Sequence, residues 1–240
     1  MTAIITAKEI FHHYDQQEVL KGIDLTINEG DYISIMGRSG CGKTTLMKIL
    51  GLINFPSSGE VFFEGKNTWS LYQDELSDIR RKKLGFVFQD FQLMESITVR
   101  ENMLLPAILD KRSPEEAENY LASLIDTLRL RPLLNKFPQE LSVGEKQRTA
   151  ICRALVNQPK IIMADEPTGN LDSNAGAEVL AIFKKINQEL GVTILMITHD
   201  SKVANSAKKV IFLKDGKIYS DLETAGIETE GMIAEKMLEV

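Results

Sequence analysis

Cysteine is almost missing from this chain, with Cys41 and Cys152 the only two in 240 residues. Neither has the partner spacing of a zinc site or a disulfide framework, so both read as isolated thiols suited to a reducing compartment. Long apolar runs are missing too, and nothing approaches the ~18 consecutive apolar residues of a membrane-spanning helix. The opening residues Met1-Thr2-Ala3-Ile4-Ile5-Thr6-Ala7-Lys8 lack the basic region and apolar stretch of a secretory leader, so a cytosolic chain is expected. Positive charge is not in excess either: the formal net charge of −6 gives no general footprint for nucleic acid. The short cluster Arg80-Arg81-Lys82-Lys83 does not change that, and reads as a solvated helix end. Repeats and low-complexity segments are absent, which excludes solenoids and linkers. What is present, 43% hydrophobic and 26% charged residues, is enough for a sizeable core and excludes disorder.

Periodicity divides the chain into sheet-like ends and a helical middle. Turn signals at Glu29-Gly30-Asp31, Ser58-Gly59 and Asp215-Gly216 separate short β-type runs. Between residues 98 and 156 the pattern turns helical: Ser113-Pro114-Glu115-Glu116 is a helix start, after which Leu121, Leu124, Ile125 and Leu128 share one face. Near-continuous apolar runs at Ile161-Ile162-Met163-Ala164 and Val192-Thr193-Ile194-Leu195-Met196-Ile197 read as parallel strands covered on both faces. At the end, Met232, Ile233, Met237 and Leu238 lie at helical spacing and predict a docked amphipathic helix over about residues 228–240. His12 and His13 belong to no pattern and are expected to be exposed loop residues.

The most specific stretch is Gly37-Arg38-Ser39-Gly40-Cys41-Gly42-Lys43-Thr44-Thr45, which fits G-x-x-x-x-G-K-[ST] at every fixed position. It follows the apolar run Tyr32-Ile33-Ser34-Ile35-Met36 and precedes a helical segment, as a phosphate-binding loop must. Glycines let successive N–H groups turn toward phosphate oxygens, and the helix dipole adds to the attraction. Lys43 is placed to reach the β- and γ-phosphates, and the Thr44 hydroxyl to ligate Mg²⁺. Cys41, inside that anion-binding loop, is expected to favour its thiolate, with Cys152 as the inert contrast. Further along, the strand Ile161-Ile162-Met163-Ala164 ends in Asp165 and Glu166. At the carboxyl end of a strand beside a phosphate loop, Asp165 can hold the Mg²⁺ shell and Glu166 can polarise a water aimed at the γ-phosphate.

Just ahead of that pair stands Leu141-Ser142-Val143-Gly144-Glu145-Lys146-Gln147-Arg148, which resembles the signature motif of ABC-type ATPases. That family orders its motifs as phosphate loop, glutamine loop, signature, Asp-Glu strand, Asp-bearing loop and switch histidine. Each has a counterpart here, including Gln89 in Gly85-Phe86-Val87-Phe88-Gln89, Asp172 in Gly169-Asn170-Leu171-Asp172 and His199 in Ile197-Thr198-His199-Asp200. The likeness spans about residues 14–222. It implies an α/β fold: a phosphate-loop, RecA-like core over about residues 1–90 and 159–222, with an N-terminal antiparallel β subdomain and an inserted helical subdomain over about 91–158. It also implies that Tyr14 stacks on adenine, that Gln89 sits at the joint with the helical insert and contacts Mg²⁺ and the membrane partner's coupling region, and that His199 contacts the γ-phosphate and attacking water. Two copies would pack head to tail, with Ser142, Gly144 and Glu145 of one covering ATP on the other. Val143 and Glu145 depart from the common Leu-Ser-Gly-Gly-Gln. Val143 crowds the close approach and Glu145 adds a negative charge, so weaker ATP-driven dimerisation is expected.

Within the family, Glu166-Pro167-Thr168-Gly169-Asn170-Leu171-Asp172-Ser173, Phe86-Val87-Phe88-Gln89-Asp90-Phe91-Gln92-Leu93 and Thr98-Val99-Arg100-Glu101-Asn102 resemble the bacterial branch of lipoprotein release, macrolide export and antimicrobial-peptide resistance. The resemblance implies an ATPase at the inner face of the cell membrane, with a separate permease as partner and no nucleic acid. The alternative is a soluble ABC ATPase of DNA repair or translation. Repair members carry a heptad insert or zinc cysteines and translation members two cassettes, features this sequence lacks. A non-hydrolysing scaffold is opposed by the presence of both Glu166 and His199.

Overall fold

Three strands with no exposed residue within the apolar run set the architecture. In the computed structural model, which describes residues 2–224 and 227–239, they belong to a six-stranded sheet. Its members are β3 (Tyr32–Met36), β6 (Leu84–Val87), β7 (Ile161–Asp165), β8 (Thr193–Ile197), β9 (Lys209–Lys214) and β10 (Lys217–Glu223), in the order β10-β9-β3-β8-β7-β6. All pairs are parallel except β9 with β10. A second, antiparallel sheet is made by β1 (Ala3–Tyr14), β2 (Gln17–Asn28), β4 (Ser58–Phe63) and β5 (Lys66–Asn67). The helices are α1 (Lys43–Leu50), α2 (Gln73–Lys83), α3 (Val99–Leu109), α4 (Pro114–Thr127), α5 (Val143–Leu155), α6 (Ser173–Leu190), α7 (Ser201–Ala204) and α8 (Ile227–Glu239).

Side chains alternate across a strand, so each buried strand feeds two cores. Ile33, Ile35, Ile161, Met163, Leu195 and Ile197 face α1 and the inner surface of the antiparallel sheet. Tyr32, Ile162, Ala164, Ile194 and Met196 face the helices α3 to α6, where Leu121, Leu124, Ile125 and Leu128 are buried as their spacing predicted. Each such aliphatic side chain contributes about 1.5–3 kcal/mol on burial. The motif Thr98-Val99-Arg100-Glu101-Asn102 has a local explanation. Thr98 and Glu101 form a capping box at the start of α3, and the buried Asn102 amide donates to the carbonyls of Met94, Ile97 and Thr98.

Four local expectations need correction. Ser58-Gly59 is not a turn between strands but the first part of β4. There Gly59, at φ 91°, faces an irregularity of β1 where Lys8 pairs with Glu60 and Phe11 with Ser58, and a Cβ on it would lie 2.2 Å from the Glu9 carbonyl oxygen. His12 is not a loop residue: it lies in β1 with its ring buried, edge-on to Tyr14 at 4.8 Å, and burial pushes its imidazole below its ordinary pKa. His13 is exposed, also in β1. The basic cluster does end α2, but it is not simply solvated. Arg80 donates to the Leu52 carbonyl at 2.8 Å, Arg81 to Asp110 at 2.9 Å, and Lys83 pairs with Glu64. In α8, Ile233 is buried against Phe212 and Val210 with Met237 beside them, whereas Met232 and Leu238 point to solvent.

Glu64 ties the two sheets together. It sits between Lys83, ahead of β6, and Lys160, ahead of β7, and Lys160 also reaches Glu29 at 3.5 Å. Partial burial alone would raise the Glu64 carboxyl, but the hydrogen bonds and charges of Lys160 and Lys83 hold it below its ordinary value of 4.5. A carboxyl lowered on folding adds stability that is present above pH 4.5 and lost as pH falls through the folded-state value. Glu64→Gln is therefore expected to cost about 1 kcal/mol at pH 7, since all three side chains are partly exposed and screened. The difference from the parent should shrink in urea titrations as the pH is taken below 4.5 and through the folded-state value; a deficit that does not change with pH would show that the ion pairs are not its cause.

Candidate functional site

The phosphate loop is shaped by its last glycine. Gly42 has φ 106°, and a Cβ there would lie 2.8 Å from Leu20 Cδ2 and 3.0 Å from the Val19 carbonyl oxygen, so neither the backbone nor the space admits another residue. It is the N-cap of α1, which has neither a side-chain cap nor an acidic residue in its first turn. The positive end of that helix is thus left to an external anion. Lys43 is buried, and its ammonium donates to the carbonyls of Gly37 at 2.7 Å and Arg38 at 2.9 Å. Two of its three donors are held by the loop, which fixes the charge in place.

Opposite the loop, the pairing of Asp165 with Ile197 and of Ile35 with Ile197 ends three parallel strands at one level. Asp165 accepts from the Thr44 hydroxyl at 3.2 and 3.4 Å. Burial raises its pKa above the ordinary aspartate value; the Thr44 hydrogen bond opposes this, and the neighbouring Glu166 carboxylate adds to it. Glu166 follows with φ 46°, a left-handed backbone that costs a non-glycine residue about 1–2 kcal/mol. Its N–H donates to Ile197 at 3.0 Å, and its carbonyl accepts from Gly169 at 3.0 Å. Its carboxylate oxygen lies 2.8 Å from Nδ1 of His199, whose side chain is 68% exposed against 15% for Glu166.

These groups line one cavity of about 590 Å³, formed by Tyr14, Val19, Ser39, Gly40, Gly42, Lys43, Thr44, Thr45, Gln89, Asp165, Glu166, Ile197 and His199. Tyr14 stands at its rim, 48% exposed. The apolar Val19 and Ile197 were missed by sequence reading. Val19 stands on β2, the strand that forms a hairpin with the one carrying Tyr14; Ile197 was read only as a strand residue. Gly37 backs the loop, and Arg38 and Cys41 face a neighbouring cleft with Lys21 and Lys214.

One expectation changes here. Cys41 is buried, and desolvation raises its pKa, outweighing the attraction of Lys43 that lowers it, so it is a buried thiol and not a reactive thiolate. Cys152 is buried and raised likewise. Ser142, Gly144 and Glu145, expected to serve the nucleotide of a second copy, lie outside this chain's own cavity, at the start of α5. Glu145 is no free charge there. It closes a capping box, accepting from the Ser142 N–H at 2.8 Å and the Ser142 hydroxyl at 2.9 Å. Burial would raise its carboxyl, yet the hydrogen bonds from Ser142 and the charges of Lys136 and Arg148 hold it below its ordinary value. Val143 is exposed at the same helix start. Two further positioning contacts carried no sequence signal: the Gln147 amide donates to the Pro167 carbonyl at 2.8 Å, and the Asn170 amide to the Gln89 carbonyl at 2.8 Å.

An anion-binding helix start, a fixed lysine, a hydroxyl-carboxylate pair and a carboxylate-imidazole pair in one cavity suit the handling of a nucleoside triphosphate. Comparison with known proteins agrees. The profile of the ABC transporter family matches residues 20–169. The chain is 42% identical over 224 residues to the bacitracin export ATP-binding protein BceA of Halalkalibacterium halodurans, covering 92% of this chain and 88% of that one. It is 41% identical over 218 residues to the macrolide export ATP-binding/permease protein MacB of Campylobacter jejuni, covering 91% of this chain but 34% of the relative. Among solved structures, the dimeric ATP-binding cassette MJ0796 in a post-hydrolysis state with ADP and Pi superposes with a TM-score of 0.84 at 39% identity, over 93% of this chain and 100% of that one. With the nucleotide machinery gathered in one cavity and relatives matched over almost the whole chain, this protein belongs to the ABC transporter family, as an ATP-binding and ATP-hydrolysing cassette.

Proposed function

We propose that this chain is the motor of a bacterial exporter whose membrane-spanning part is a separate permease, and that two copies close over two ATP molecules. The observation that carries the reading is the Glu166–His199 contact of 2.8 Å in the same cavity as Lys43 and Asp165. Lys43 and the N–H groups at the start of α1 bind the phosphates. Glu166 takes the proton of the attacking water, and His199, held through Nδ1, leaves its other ring nitrogen for the γ-phosphate. Tyr14 stacks on the base. Ser142 and Gly144, outside their own chain's cavity, serve the second copy. Thr44 and Asp165 fit Mg²⁺, being hard oxygen donors that would hold it beside the phosphate loop, with Gln89 lining the same cavity. When bound, Mg²⁺ neutralises charge on the phosphoryl oxygens. The name of BceA supports an antimicrobial-peptide cargo.

Among the described residues no helix is long and apolar enough to cross a membrane, so the permease must be met at a surface. The surface that fits is a groove of about 600 Å³ between α2, β6, α3 and α5, with Phe86, Phe88, Leu105 and Leu109 among its walls. Phe91, Leu93 and Met94, apolar residues of the loop that follows Gln89, are not in its lining. Docking there places the chain at the inner face of the membrane.

Glu166→Gln should lower kcat by about 10²–10⁴-fold, since the amide keeps shape but accepts no proton, while ATP binding persists and ATP-bound dimers accumulate in light scattering. Hydrolysis at the parent rate would remove Glu166 from the mechanism. Lys43→Ala should weaken ATP binding by about 1.5–3 kcal/mol per charge-assisted hydrogen bond lost, measured calorimetrically; parental affinity would remove the lysine's role. A charge in the groove, as in Leu109→Glu, should cost about 2 kcal/mol of docking, roughly 30-fold in recovery with membranes. Undiminished membrane recovery would place the permease contact elsewhere, and recovery of the parent with nucleic acid or ribosomes would favour a soluble ABC ATPase.

A further inference from the structure

Gln89 leads into an unusual piece of backbone. Two non-glycine residues in succession, Phe91 at φ 61° and Gln92 at φ 46°, occupy the left-handed region, which L-residues rarely hold without outside support. Support comes from one side chain. Arg153, on the last turn of α5, donates through Nη2 to the Phe91 carbonyl at 2.7 Å and through Nη1 to the Gln92 carbonyl. A guanidinium presents two parallel donors in a rigid fork, which suits two neighbouring carbonyls better than any other side chain does. The loop is held on its other flank too, where Asn170 donates to the Gln89 carbonyl at 2.8 Å and Asn102 accepts from the Met94 N–H at 2.8 Å. Between these anchors the Gln89 side chain passes close over Gly169, where a Cβ would lie 3.0 Å from its Nε2, and enters the nucleotide cavity.

We propose that Arg153 is a positioning residue for Gln89: by clamping the Phe91 and Gln92 carbonyls it holds the loop in the conformation that presents the Gln89 amide to the nucleotide. This rests on the proposed role of Gln89 at the nucleotide. The helix that supplies the clamp begins at Ser142, and through Gln147 it also holds the turn after Glu166, at 2.8 Å. One rigid element therefore sets the loop, the signature turn and the acid turn relative to each other. Arg153 also lines the groove beside Phe88 and Gln92, so a segment seated there lies against the clamp itself.

The full-length chain tests this with Arg153→Met, Arg153→Lys, Gln89→Ala and the double variant R153M/Q89A. Without nucleotide, the amides of Phe91, Gln92 and Met94 in Arg153→Met should exchange hydrogen about tenfold faster or more, while those in the middle of α5 keep parental rates. In steady state, kcat should fall about tenfold or more with KM for ATP within about twofold, because the group is misplaced and not removed. Arg153→Lys, which keeps the charge without the fork, should fall between, and it carries the test if the methionine variant does not fold. The double variant should be no slower than the slower single variant, since both act on one group. Parental loop exchange in Arg153→Met or Arg153→Lys overturns the clamp. Losses that multiply in the double variant overturn the coupling to Gln89 while leaving Gln89's role standing; parental kcat in Gln89→Ala removes that role and the proposal with it.

Discussion

Burial of both faces of a parallel sheet is the constraint on which the rest depends. β3, β7 and β8 carry no charge along their buried length, because even after relaxation an ion held in such an interior costs several kcal/mol. The first position at which each strand can carry a charge is its carboxyl end. The registers that align Ile35, Ile197 and Asp165 bring those ends level, so the loop, the two acids and the histidine emerge side by side. A slip of one residue in any strand would turn its core set to the wrong face, so the same hydrophobic pattern that stabilises the sheet also sets the geometry of the cavity.

The two cores divide the labour. The one beneath the antiparallel sheet seats α1 and with it the phosphate loop. The one beneath α3 to α6 seats the signature turn and carries the loop after Gln89. Between them lies only the sheet, with Glu64 and its lysines as a polar tie at one edge. The helical side is held to the sheet by that core, and the loop after Gln89 is tied to it in addition by hydrogen bonds from α5 and Asn170.

What was legible in the sequence follows from how local each determinant is. The phosphate loop and the Asp165-Glu166 strand end depend on neighbours within a few positions, and spacing reveals them; the capping boxes of α3 and α5 are just as local, but their residues were read only as parts of family motifs. The parallel strands were legible because an apolar run of that length leaves few alternatives. His12 was misread because a histidine pair between Phe11 and Tyr14 gives no periodic signal until the opposite strand is known. Gly59 was misread because a glycine in an irregular pairing and a glycine in a turn look alike without the partner, here Glu9. Cys41 was misjudged because nearness to Lys43 is visible in sequence, whereas the desolvation that outweighs it is not. Arg153 and Asn170 lay beyond reach for a similar reason: their partners are main-chain carbonyls, which carry no letter of their own.

The left-handed backbone of Glu166 has a consequence for how such a chain changes over generations. The residue assigned to the proton transfer is also among the least comfortable in the fold, since a glycine or asparagine there would relieve strain at once. A lineage selected only for resistance to heat would shed that carboxylate early and be left with a cassette that grips nucleotide and no longer turns it over.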